Sequence, residues 1–218
     1  MTEMKQGARL RAKSVDERQR HPTEVRRRLV IESARDLIAD KGLFNVQIRD
    51  ISRVCGVSPG TITYHFRSLD EVLWEVIKAE TVEFNELLRE AVANGETDKS
   101  TKLLSLLEGM FRSDPNTRRH WLLRMDLWSA ATRDDAYGEW MNTHYEAWWQ
   151  VLRDIIDAGV EDGEFKCPDP WAFAVSISST VDGLAIQCYS RSARISVVQA
   201  RHHLLCHVRA GLGIVDAD

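Results

Sequence analysis

"GVSPGTITYHF", residues 56–66, places a helix stop and a helix start within four residues. Gly56 closes whatever helix precedes it. Ser58 can accept a hydrogen bond from the free amides of the next helix, and Pro59 suits its first position because no donor is needed there. Ile62 and Phe66 lie four apart on one face. Upstream, Ile48, Ile51 and Val54 share a face over 47–55, so Ile62 and Phe66 are expected to pack on Ile51 and Val54. Two short helices joined by a three-residue turn have the spacing of a helix-turn-helix. Thr61, Thr63, Tyr64 and His65 are then left for a partner. Gly60 permits close backbone approach, the helix start suits a phosphate oxygen, and hydroxyl and imidazole groups can reach phosphates or base edges. A plain helical corner with solvated polar residues would show the same pattern, so the rest of the chain has to decide.

The charge distribution bears on that choice. Residues 1–68 carry 14 Lys and Arg against 8 Asp and Glu, whereas 69–218 carry 15 against 25. A basic small half joined to an acidic large half fits a polyanion partner for the first half, or a solvated basic tail. At 44% hydrophobic and 28% charged, the 218 residues have material for a core. No run approaches the ~20 apolar residues of a membrane span, and no secretory leader is apparent. Cys55, Cys167, Cys188 and Cys206 stand far apart, as reduced thiols do. A cytoplasmic protein without membrane association is expected.

The chain reads as all-α, with nine helices. They are expected at about 24–41, 47–55, 59–66, 68–92, 100–111, 117–131, 135–160, 170–192 and 196–211. Gly42 ends the first, Ser68-x-x-Glu71 opens the fourth, and Ser196-x-x-Gln199 opens the ninth. Residues 1–23 are polar and basic, with Arg9, Arg11, Lys13, Arg18 and Arg20, and read as a flexible arm able to follow phosphates. The domains are placed at 1–23 (arm), 24–67 (helix-turn-helix) and 68–218 (larger helical domain).

Residues 30–73 resemble the N-terminal domain of the tetracycline-repressor (TetR) family of bacterial transcription regulators. The resemblance is carried by Ala34, Lys41-Gly42, Arg49-Asp50-Ile51, Gly56-Val57-Ser58, Gly60-Thr61, His65-Phe66 and Asp70-Glu71. It implies a three-helix DNA-binding domain followed by a ligand-binding and dimerisation domain. The DNA-facing set is then Arg49, Ser58, Pro59, Gly60, Thr61, Thr63, Tyr64 and His65. This chain departs from the family's usual residues at Gln47, Cys55 and Thr63, and at Leu69, where the family usually places a phosphate-contacting Lys.

Residues 118–192 resemble a branch of the family that includes the choline-responsive repressor of the betaine pathway. The carriers are "RRHWLLRMDLWSAATRD", "IIDAGVEDGEF" and "VDGLAIQCY". This implies a small-molecule effector pocket and a homodimer built through the eighth and ninth helices, on a near-palindromic operator in double-stranded DNA. No cofactor is expected beyond that effector.

Trp121, Met125 and Trp128 share one helical face, and Trp140, His144 and Trp148 another. Such a set can form an aromatic box for a quaternary ammonium, or simply core. Arg124 instead points to an organic anion. Asp182, inside an apolar helix, either serves the pocket or pins packing. The candidate ligand set is Trp121, Arg124, Met125, Trp128, His144, Trp148, Phe173 and Asp182. His202, His203, Cys206 and His207 form a cluster in which the i, i+4 pair His202/Cys206 has zinc-ligand spacing. Leu204, Leu205 and Val208 predict an interface there, and no metal is assigned. No Gly-x-Ser-x-Gly, His-Glu-x-x-His or phosphate-loop pattern occurs, so an enzyme is not expected.

Overall fold

The computed structural model describes residues 23–93 and 98–214, so the basic arm lies almost wholly outside the described residues. Among the described residues there are nine α-helices and no strand. They are α1 (residues 23–41), α2 (Ile48–Cys55), α3 (Pro59–His65), α4 (Leu69–Ala93), α5 (Lys99–Gly109), α6 (Pro115–Ala131), α7 (Asp135–Glu161), α8 (Pro170–Tyr189) and α9 (Val197–Leu212). Leu43–Asn45 adds one 3-10 turn. Among these helices none is long and apolar enough to cross a membrane.

Local chemistry sets the ends. Gly42, at φ 89°, donates its amide to the Ile38 carbonyl at 2.7 Å and stops α1. Asp114 and Asp169 accept from Thr117 and Ala172 three residues on, each with proline at the first helical position. Hence α6 starts at Pro115, two residues before the expected 117. At α4, Ser68 Oγ accepts from Glu71 N at 3.2 Å, while the Glu71 carboxylate takes Arg67 N at 2.7 Å.

The chain forms two compact units that divide after Glu80, within α4. In the first unit, Val30, Ala34, Ile38, Ile51, Ile62, Phe66, Val76 and Ile77 are buried together. Val54 does not join them. It is 56% exposed, because the last turn of a helix this short carries it about 60° round from Ile51 onto the flank. A buried ion pair crosses this core: the Arg35 guanidinium, 4% exposed, meets Glu80 Oε2 at 2.6 and 2.8 Å.

In the second unit the core centres on Trp121, whose Nε1 donates to the Met110 carbonyl at 2.9 Å. Its ring lies beside Phe111 and Tyr189. Helices α8 and α9 pack closely: a Cβ at Gly211 would fall 2.2 Å from the Phe173 ring. Leu204, Leu205 and Val208, expected at an interface between copies, are instead buried inside the protomer. Their apolar stripe is consumed by this chain's own core. The large apolar side chains that α8 and α9 leave outside are Trp171 (40% exposed), Ile186 (46%) and Val198 (70%).

Candidate functional site

In the first unit, Gly56 takes the left-handed conformation (φ 69°) that ends α2, and Ser58 caps α3 by accepting from Thr61 N at 3.2 Å. The Ser58 and Thr61 hydroxyls also pair at 2.9 Å, and Thr63 Oγ1 donates to the Gly60 carbonyl at 3.1 Å. Ile62 anchors the helix from its buried side. Arg49, Ser58, Pro59, Gly60, Thr63 and Tyr64 are exposed, whereas Thr61 and His65 are half-buried. Tyr64 is 84% exposed, with its ring edge-on to His65 at 5.1 Å. His65 Nε2 is shielded and has no hydrogen-bond partner among the described residues. Six of the eight residues are therefore exposed, and Tyr64 stands out from the open side of α3.

Sequence reasoning missed what holds that surface. Arg27, from α1, donates to the His65 carbonyl at the end of α3, lies 4.2 Å over the Phe66 ring, and comes 3.7 Å from Glu71. One guanidinium thus ties α1, the end of α3 and the first turn of α4. Its partners are 38 to 44 residues away, beyond any local pattern.

In the second unit a cavity of about 510 Å³ opens between α4, α5, α6, α7 and α8. Phe84, Trp121, Trp148, Leu106, Val151 and Val181 give it apolar walls, and Lys102, Arg124, His144, Asp154 and Asp182 bring polar groups. Of the candidate ligand set, Trp121, Arg124, His144, Trp148 and Asp182 therefore come together. Met125 and Trp128 pack against the core instead, and Phe173 stacks on His207 where α8 meets α9.

A polar relay behind the cavity ends at Asp182, which lines it. Trp128 Nε1 donates to Tyr145 Oη at 2.8 Å, and Tyr145 donates to Asp182 Oδ2 at 2.5 Å. Burial raises the Asp182 carboxyl above the usual range, against the opposing pull of Arg124 and the Tyr145 hydrogen bond. Burial, reinforced by Asp182 against the pull of Arg124, pushes the Tyr145 phenol up to about 12 and keeps it a donor. The Arg124 guanidinium stands 4.9 Å over the Tyr145 ring. Sequence reasoning does not single out Tyr145; the signal available is a tyrosine in a helix already rich in tryptophan. Among the described residues no group of three or more His, Cys, Asp or Glu side chains is gathered to hold a metal ion.

Comparison with known proteins bears on both halves. Residues 30–76 match the family model described as bacterial regulatory proteins, tetR family, and 99–213 match the model for the C-terminal region of BetI-type transcriptional repressors. The HTH-type transcriptional regulator BetI of Rhizobium meliloti is 26% identical over 85% of this chain and 91% of its own length. The HTH-type transcriptional repressor KstR2 of Rhodococcus jostii is 23% identical over 86% and 91%. A transcriptional regulator from Saccharomonospora viridis, solved in complex with choline, superposes with a TM-score of 0.80 at 28% identity, covering 87% of this chain and 98% of that one. With a helix-turn-helix in the first unit and a matched regulator domain over most of the second, this chain belongs to the TetR family of DNA-binding transcription regulators.

Proposed function

We propose that the protein is a ligand-responsive repressor that binds a near-palindromic operator as a homodimer and releases it when an effector fills the second unit's cavity. The cavity carries the reading: about 510 Å³ walled by aromatic rings with a few convergent polar groups has the size and character of a small-molecule site. An effector that binds the DNA-incompetent state better shifts the population away from the operator. The DNA contacts are Arg49, Ser58, Pro59, Gly60, Thr61, Thr63 and Tyr64, with His65 supporting Tyr64 from behind.

The choline-bound relative supports a small organic cation as effector, as in the betaine-pathway branch, held among Trp121, Trp148 and Asp182, which line the cavity. Arg124 favours a second reading. A guanidinium on the same wall repels a cation and would pair with an organic carboxylate. Sequencing the DNA recovered with the protein from its own genome gives the operator. Choline and a medium-chain carboxylate, titrated separately into the protein–operator complex, then separate the two effector classes. Release by neither, with no small molecule from the cell extract acting, would sink the ligand-responsive reading.

The dimer contact is assigned to the exposed faces of α8 and α9, where Ile186 and Val198 lie. Ile186→Glu combined with Val198→Glu should yield folded monomers in sedimentation that bind operator weakly; an unchanged dimer places the contact elsewhere.

Leu69 stands half-buried in the first turn of α4. Leu69→Lys should tighten binding to specific and random DNA alike and steepen the log–log salt slope by about 0.9 per new phosphate contact. A cation at a helix N-terminus lowers stability by roughly 0.3–1 kcal/mol, so the free variant should melt slightly earlier. An unchanged slope in a folded variant would mean that this turn does not reach the DNA backbone.

A further inference from the structure

On the face of α9 that the protomer leaves exposed, Val198, His202 and Cys206 recur every four residues. Cys206 Sγ lies 3.6 Å from His202 Nε2 and 3.9 Å from its Nδ1. Two donors at adjacent corners of a tetrahedral zinc site, with Zn–S near 2.3 Å and Zn–N near 2.05 Å, stand about 3.6 Å apart. The distance is that of two zinc ligands, but Sγ stands almost equally far from both ring nitrogens, so the exposed imidazole has to turn to aim one of them at a shared ion. The neighbouring His207 is engaged elsewhere, stacked on Phe173 and 3.3 Å from Ser176 Oγ. Among the described residues of one protomer, no group of three or more ligands is gathered.

We propose that His202 and Cys206 form half of a zinc-class metal site that the same pair from a second copy of this chain completes. The proposal rests on the homodimer reading. Val198, 70% exposed on the same face, gives that second copy an apolar surface to cover. A two-fold contact is self-complementary, so residues near its axis meet their own counterparts. Two thiolates and two imidazoles select zinc over hard cations such as magnesium or calcium. Each thiol releases its proton to solvent as the metal binds. A dication with two thiolates is neutral, so the completed site places no net charge within an apolar interface. The metal would act as a staple, coupling operator affinity to zinc supply through the dimer.

The test uses the full chain, reduced and stripped of metal with a chelator, with cobalt(II) as optical probe and zinc for sedimentation. Cobalt should saturate at one ion per two chains, with a thiolate-to-metal charge-transfer band and tetrahedral d–d absorption. At free zinc a hundred times its Kd, the dimer dissociation constant should fall about a hundredfold. His202→Ala and Cys206→Ser should each lose both signals. Saturation at one ion per chain, no charge-transfer band, or a dimer constant indifferent to zinc overturns the site. A metal-indifferent dimer leaves the homodimer reading standing, whereas a chain monomeric with and without zinc overturns both.

Discussion

Tyr64→Ala should lower affinity for the operator by ~30-fold or more, with a much smaller loss on random duplex. The ring is the largest side chain on the open face of α3 and is 84% exposed. Little of it contributes to folding, and surface changes of this kind shift stability by only about 0.5 kcal/mol. Its loss in the complex is another matter. A good base-edge contact supplies about 1–3 kcal/mol of discrimination, and a dimer presents it twice, so roughly 2–6 kcal/mol is at stake. Fluorescence anisotropy on operator and random DNA, beside a melting curve, separates reading from folding. Full specific affinity in a folded variant would remove Tyr64 from the readout. His65→Ala makes a useful companion: its half-buried ring, with Nε2 shielded, supports Tyr64 edge-on and should weaken both DNAs more evenly.

Glu80→Leu should destabilise the protein by about 3–5 kcal/mol, the penalty for removing one partner of a buried ion pair. Total stabilities of ~5–15 kcal/mol make that a large fraction. Arg35 is 4% exposed and would lose its nearest carboxylate, keeping Glu32, which is 53% exposed and held at 3.1 Å. Adding Arg35→Met should recover most of the loss, because replacing both members of a buried pair by apolar groups is often near neutral. Chemical denaturation of wild type, the two single variants and the double variant gives the coupling directly. A Glu80→Leu midpoint within error of wild type would mean that the guanidinium's remaining partners, Glu32 among them, satisfy it.

What the sequence revealed and what it hid follow from range. Caps at Ser58, Asp169 and Ser196 act over three residues, so they are readable one chain segment at a time. The helix-turn-helix is as local, and its seven-residue α3 lay open to reading. Arg27 and Arg35 act on partners 38 and 45 residues away, and no periodicity announces them. Leu204 and Val208 show a further limit: an apolar stripe reports that it must be covered, not whether the cover is α8 of the same chain or another copy. The cavity mixes both ranges. Trp121 and Trp148 were visible as helical stripes, whereas Tyr145 matters through Asp182, 37 residues on, and Phe173 turned out to face α9.

Trp121 gives the cavity an optical consequence. Its indole is held rigid by the Met110 carbonyl and by flanking aromatic rings, and it borders the cavity with Trp148. Indole emission shifts in colour and intensity when water beside the ring is exchanged for another molecule or when a quencher arrives. Anything that enters the cavity should therefore write its arrival into the protein's own fluorescence. Trp121→Phe and Trp148→Phe would assign the signal to its ring. A compound library can then be screened by emission alone, with no dye, no DNA and no assumption about the chemistry of the compound sought.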